Sequence, residues 1–180
     1  LKGKALKGLG WSAIDGISNT GITFLIGLIL ARILSPSEFG LIGMITIFIA
    51  ISNSIVDSGF SSALIQKSNA SRVDYNTVFY FNIFLGFLLY GILFLTAPTI
   101  SIYFDEPVLT DLIRTISIII IINSFGIVQR TLLVKKVDFK TQTKVSLIST
   151  ISGAFVGVLM TLQGFGVWSL IFQQISKQFL

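Results

Sequence analysis

Long apolar runs separated by short polar gaps dominate the chain. Six runs can be marked, over about residues 11–34, 39–65, 75–97, 108–128, 145–162 and 167–180. Most are roughly 20 residues long, the length a helix needs to cross a bilayer core. The pattern predicts an all-α polytopic transmembrane bundle of about six helices, with residues 1–180 as one lobe. Turn chemistry marks several breaks. Ser35-Pro36-Ser37-Glu38 reads as an N-cap, a proline at the first helical position and a capping-box glutamate. The third helix is expected to end near Pro98, and Glu106 to cap the fourth with Pro107 behind it. The tight turn Gln163-Gly164-Phe165-Gly166 precedes the sixth. Ile116 to Ile122 would be a buried strand in a soluble protein, but the length of the whole run predicts a lipid-facing helix. Gln129 to Lys144 reads as helix ends plus an interfacial segment, and Lys2 to Gly10 as a basic lead-in at the interface.

Charge gives the bundle an orientation. Counting gaps alternately, one side receives Lys2, Lys4, Lys7, Lys67, Arg72, Arg130, Lys135, Lys136, Lys140, Lys144 and Lys177. The other receives Arg32 and Arg114. This is the positive-inside pattern and predicts a cytoplasmic N-terminus. A mean hydropathy of +0.88 and 53% hydrophobic residues exclude an ordinary soluble domain. The net charge of +5 therefore points to anionic lipid headgroups at the cytoplasmic loops, not to nucleic acid. Without cysteine or histidine there are no disulfides, thiolate nucleophiles, Cys/His metal sites or imidazole acid–base chemistry. No cofactor is expected. The first run is too long, and with Asp15 and Asn19 too polar, for a cleavable signal peptide. A start at Leu1 instead of Met, and a stop within the last apolar run, suggest a fragment.

Polar residues inside the runs supply the candidate site. Ser12, Asp15, Asn19 and Thr23 share one helical face, and Thr46, Asn53 and Asp57 another. Either these stripes line a wet cavity, in which a shielded Asp15 or Asp57 carries a proton, or the two carboxylates pair with Lys7, Lys67 or backbone near the interface. Arg32 opposes the charge pattern. It either grips a phosphate at a cavity mouth or snorkels and pairs with Glu38. Arg114 has Asp111 and Thr110 within one turn. Gly153 and Gly157 form a small-residue pair that predicts close helix packing. Asn82 and Tyr90 read as packing or cavity residues, and Asn123 as an interhelical hydrogen-bonding group.

Three strings carry a resemblance. Leu30-Ala31-Arg32-Ile33-Leu34-Ser35-Pro36-Ser37-Glu38-Phe39-Gly40-Leu41 resembles the first-turn signature of bacterial polysaccharide flippases. Asp57-Ser58-Gly59-Phe60-Ser61-Ser62-Ala63-Leu64-Ile65-Gln66-Lys67 resembles that family's segment closing the second helix, and Gly164-Phe165-Gly166-Val167-Trp168-Ser169-Leu170 its entry to the sixth. The family sits in the multidrug/oligosaccharidyl-lipid/polysaccharide exporter superfamily, and the match points to its lipopolysaccharide or colanic-acid branch. The resemblance implies a transporter of about 12 to 14 helices in two pseudosymmetric lobes. Such a protein sits in a bacterial inner membrane and flips undecaprenyl-diphosphate-linked oligosaccharide by alternating access, without bond chemistry. It further implies that this chain is the N-terminal lobe, that a C-terminal lobe is missing, and that Arg32 matches a recurrent family arginine.

Other readings stay in view. A drug or cation exporter of the same superfamily would line its cavity with acidic groups. A membrane enzyme of envelope synthesis would need clustered carboxylates or histidine, and the basic gaps offer only Asp74 and Asp138. A non-transporting scaffold for envelope assembly is opposed by Asp15, Asn53 and Asp57 inside the runs.

Overall fold

The computed structural model describes residues 2–57, 60–67 and 70–179, and excludes the side chains of 2–7, 9 and 61. Ser58, Gly59 and Ser61 of the second string, and the Lys2, Lys4 and Lys7 side chains proposed for the interface or for pairing with Asp15, lie outside this description. Eight helices follow in order: α1 (Lys2–Ala31), α2 (Pro36–Asp57), α3 (Phe60–Gln66), α4 (Arg72–Tyr103), α5 (Leu109–Ile116), α6 (Ile118–Lys135), α7 (Phe139–Leu162) and α8 (Val167–Phe179). There is no strand among the described residues. Among the described residues, five segments are long and apolar enough to span a membrane: Gly10–Ala31, Pro36–Gln66, Arg72–Tyr103, Leu109–Lys135 and Phe139–Leu162. The chain is an all-α, multi-pass membrane bundle.

Local chemistry fixes the helix ends. Glu38 Oε2 accepts from the Ser35 backbone N–H at 2.7 Å, and Ser35 Oγ faces the Glu38 N–H at 3.4 Å, completing the expected capping box. Ser71 and Asp74 form a second one at the head of α4. Lys135 Nζ donates to the carbonyls of Leu64 and Lys67 at 2.8 and 2.7 Å. A cation thus closes the C-terminal end of α3, where helix carbonyls lack partners. Lys67 pairs with Asp74 at 2.8 Å, and Lys140 lies over the Trp11 ring. These contacts gather the ends of α1, α3, α4, α6 and α7 into one basic end of the bundle.

Three boundaries differ from expectation. First, α4 continues through Pro98 to Tyr103. Proline has no N–H to offer the Phe94 carbonyl four residues back. Arg114 Nε donates to that carbonyl at 3.3 Å, with its guanidinium 4.3 Å from the Phe94 ring centroid. This is where the structure places Arg114, in contrast to the local pairing with Asp111 and Thr110. Second, Glu106 does not cap the following helix. The N-cap of α5 is Val108, without a side-chain hydrogen bond, while the Glu106 N–H and C=O bond back to Ser101. Third, the expected helix 108–128 is divided at Ser117, whose Oγ donates to the Ile113 carbonyl at 2.6 Å. Such back-bonding bends helices.

The isoleucine run is also not lipid-facing as a whole. Ile116, Ile119 and Ile120 are buried with Ile45, Val56, Leu93, Leu112 and Ile171 in the main core, while Ile118 is exposed. A helix that is apolar all round suits the centre of a bundle, and α5–α6 has α2, α4 and α8 around it. Small residues set the closest approaches. A Cβ on Gly86 would sit 2.8 Å from Ser124 Cβ, one on Gly157 2.9 Å from Gln173 Cβ, and one on Gly153 2.8 Å from the Gln173 carbonyl oxygen. The Gly153/Gly157 pair is therefore the seat of α8 on α7.

Candidate functional site

Two stripes of polar residues, on α1 and α2, have opposite fates. On α1, Asn19 Nδ2 donates to Asp15 Oδ1 at 2.7 Å, to the Asp15 carbonyl at 3.0 Å and to Ser146 Oγ on α7 at 2.8 Å. Thr150 Oγ1 on α7 donates in turn to Asn19 Oδ1. The α1 stripe therefore packs on α7 as a polar seam, and neither Asp15 nor Asn19 is among the residues lining the two cavities beside α2. Further along the same helix, Thr23 is exposed and does line one.

On α2 the stripe stays open. Asn53 and Asp57 line a cavity of about 520 Å³ toward the basic end, together with Asn123, Arg130 and Gln178. Thr46 and Asn53 line a second cavity of about 540 Å³ toward the other end, with Gln173, Gln174 and Lys177. The two adjoin at Asn53, Asn123 and Gln178 and form one groove along α2, α6 and α8, with α1 and α7, Thr150 included, walling its second half. Asn123 Nδ2 donates to Asn53 Oδ1 at 2.8 Å, the interhelical bond expected of Asn123, and Gln178 Nε2 donates to Asn123 Oδ1.

Arg32 lies elsewhere. It is exposed in the turn after α1, and lines neither cavity. The Ser35–Glu38 cap beside it meets the Gly164–Gly166 turn. Gly166 has φ +55°, a left-handed conformation that favours glycine, and a Cβ there would collide with Glu38 Oε1. Two of the three strings that carry the family resemblance are thus in contact across the end of the bundle. Asn82 is fully buried on α4, outside both cavities, and its amide has no hydrogen-bond partner among the described residues.

Reading the sequence missed the two cations of the groove. Gap counting alone puts Arg130 and Lys177 on the basic loops. Lys177 lies ten residues after Val167 on α8, which at 1.5 Å per residue is about 15 Å along the helix. That is roughly half the thickness of a hydrocarbon core. The available signal was the company it keeps: Gln173, Gln174 and Gln178 share the same short helix. Asp138, at the head of α7, is unrelated to the groove. Thr141 Oγ1 and the Thr141 N–H donate to it, which holds its carboxyl below the usual range.

Comparison with known proteins agrees with this architecture. The polysaccharide biosynthesis protein family matches residues 29–180. The succinoglycan biosynthesis transport protein ExoT of Rhizobium meliloti is 32% identical over 93% of this chain and 34% of its own length. The lipopolysaccharide biosynthesis protein WzxC of Escherichia coli is 28% identical over 94% of this chain and 34% of its own. The teichuronic acid biosynthesis protein TuaB of Bacillus subtilis is 30% identical over 81% and 30%. The chain therefore spans about a third of the length of the relatives it matches. No solved structure matches it significantly. With a family match across most of its length and an all-helical membrane bundle to go with it, the chain belongs to the polysaccharide biosynthesis protein family.

Proposed function

We propose that this chain is the N-terminal lobe of a flippase that moves undecaprenyl-diphosphate-linked oligosaccharide across the bacterial inner membrane, from a cytoplasmic N-terminus, by alternating access. The observation that carries the reading is a groove with polar side chains along an apolar bundle, lined by Arg130 near one end and by Lys177, which lies against Gly153 well inside the span-length helix α7. Ionisable groups at such depth are costly and mark substrate paths. The charged residues lining the two cavities are Arg130, Lys177 and Asp57, so cations outnumber the carboxylate. That balance suits a diphosphate better than a cationic drug. Carboxamides at Asn53, Asn123, Gln173, Gln174 and Gln178 offer both donors and acceptors, as sugar hydroxyls require. The chemistry is binding and release. The lipid tail stays in the bilayer beside the groove, and a C-terminal lobe covers the open side.

Within this reading the site residues divide. Asn53 and Asp57 face the headgroup. Asp15 and Asn19 hold α1 against α7, and Arg32 stands at the outer rim beyond Leu30. The test is Arg130→Ala and Lys177→Ala in the intact protein, scored by polymer delivered to the cell surface. Losing a charge-assisted contact worth about 1.5–3 kcal/mol lowers delivery about tenfold or more, with protein still in the membrane. Normal delivery in both variants would remove the flippase assignment of the groove.

A further inference from the structure

The two cavities share Asn53, Asn123 and Gln178 in their walls. Those same residues form a ladder of side-chain carboxamides from three helices, α2, α6 and α8. Asn123 is the middle rung: its Nδ2 donates to Asn53 Oδ1 at 2.8 Å, and its Oδ1 accepts from Gln178 Nε2. The ladder lies where the two cavities adjoin. Arg130 stands on one side of it and Lys177 on the other.

An apolar plug at this position would shut the groove but would resist a hydrated headgroup. Carboxamides behave differently. Each rung that opens exposes one donor and one acceptor, and an entering hydroxyl or phosphate oxygen replaces what was lost. The exchange leaves no buried polar group without a partner. Bonds between side chains on separate helices also part with small helix shifts, as alternating access demands.

We infer that the Asn53–Asn123–Gln178 ladder is the closed partition between the two cavities, and that it must part for an anionic headgroup to pass from Arg130 to Lys177. This rests on the groove being a translocation path. These 180 residues hold no cysteine, so once any cysteine in the rest of the intact protein is replaced by serine, one introduced thiol is a clean reporter. Thr46 is exposed on α2 and lines the cavity beyond the ladder.

The experiment uses the intact protein with Thr46→Cys in membrane vesicles, and a membrane-impermeant maleimide applied from the face that bears the basic end. Asn123→Ala should raise the labelling rate about tenfold, the scale set by removing two hydrogen bonds from a two-state opening. Gln178→Ala removes one rung at an exposed position and should give a smaller rise, even if Asn123→Ala fails to accumulate. Labelling unchanged in the variants that accumulate would overturn the partition, whether or not transport is lost. Raised labelling in a protein whose Arg130 and Lys177 variants transport normally would keep the partition and overturn the headgroup as its passenger.

Discussion

The α1–α7 seam and the α2–α6–α8 groove use the same vocabulary to opposite ends. Both place amides, hydroxyls and a carboxylate at helical spacing within apolar helices. In the seam, Asn19 spends its amide on Asp15, Ser146 and Thr150. In the groove, Asn53 makes one bond to Asn123 and otherwise faces open volume. A polar stripe on a membrane helix therefore does not by itself announce a cavity. What decides is whether the facing helix brings complementary side chains. Ser146 and Thr150 do this for α1. For α2, the facing surfaces on α6 and α8 supply one amide ladder beside open volume.

The largest effects should come from closing space where helices already touch. Gly153→Ala places a methyl against the Gln173 backbone carbonyl at 2.8 Å and against Lys177 Cβ at 2.9 Å. Backbone cannot yield as a flexible side chain can, so the expected cost is about 1–3 kcal/mol. Gly27→Ala lies on the groove wall with nothing within 4 Å of the added carbon. It should be neutral, or stabilising by up to about 1 kcal/mol through helix propensity. Thermal unfolding of the purified protein in detergent measures both. Equal destabilisation at the two sites would erase the distinction between closed contact and open groove.

Next in size is the contrast between the two asparagines. Asn19→Leu leaves Asp15, Ser146 and Thr150 without their shared partner, and should cost about 1–2 kcal/mol. Transport per folded molecule should be unchanged. Asn53→Leu breaks one bond beside open volume, costs about 0.6 kcal/mol, and should reduce transport more than abundance. Membrane abundance and surface polymer, measured together, separate the two. Transport that falls faster than abundance in Asn19→Leu would move the seam into the groove's category.

How much of this was legible beforehand follows from where each determinant lies. The all-α membrane class and the Ser35–Glu38 cap were readable because run length and capping chemistry are local, although five, not six, of the described segments are long and apolar enough to span. The passage of α4 through Pro98 was not, because the group that satisfies the orphaned Phe94 carbonyl is Arg114, 20 residues away. The burial of Ile119 and Ile120 was hidden for a related reason: an apolar helix reads alike whether it faces lipid or the bundle centre. The stripe on α1 was visible, but its closure depended on the register of α7. The place of Lys177 on a cavity wall was not legible, because counting charges by gap treats any lysine near the end of a run as a loop residue. The start of α8 at Val167 was legible from the Gly164–Gly166 turn; the contact of Lys177 with Gly153 of α7 was not, because it depends on how two helices pack.

A double-mutant cycle on Asn19→Ala and Thr150→Ala gives a smaller number with a sharper meaning. Hydrogen bonds between membrane helices average about 0.6 kcal/mol and reach about 1.7. The Asn19–Thr150 bond sits in a cluster with several partners, so its coupling should fall in the upper half of that range. Coupling near zero would mean the seam is close contact without energetic connection, and that its polar groups are as available as those of the groove.

The smallest expected effect concerns α7, which supplies both the seam and one groove wall. Asp138 caps it outside the membrane-spanning segment, and its carboxyl is held below the ordinary value by the Thr141 hydroxyl and N–H. Lowered in the folded state, this group stabilises the helix head above the unfolded-state pKa, about 3.9, and loses that contribution as pH falls through the folded value. Between pH 5 and pH 8 the cap should therefore contribute nothing to any pH dependence. Hydrogen exchange at the Thr141 amide should accelerate, relative to a reference amide in mid-α7, only in acid. Asp138→Asn should remove that acid-dependent component while retaining a neutral cap. If the same variant altered transport between pH 5 and pH 8, the head of α7 would be part of the transport cycle, and the line between structural seam and working groove would have to be redrawn to include it.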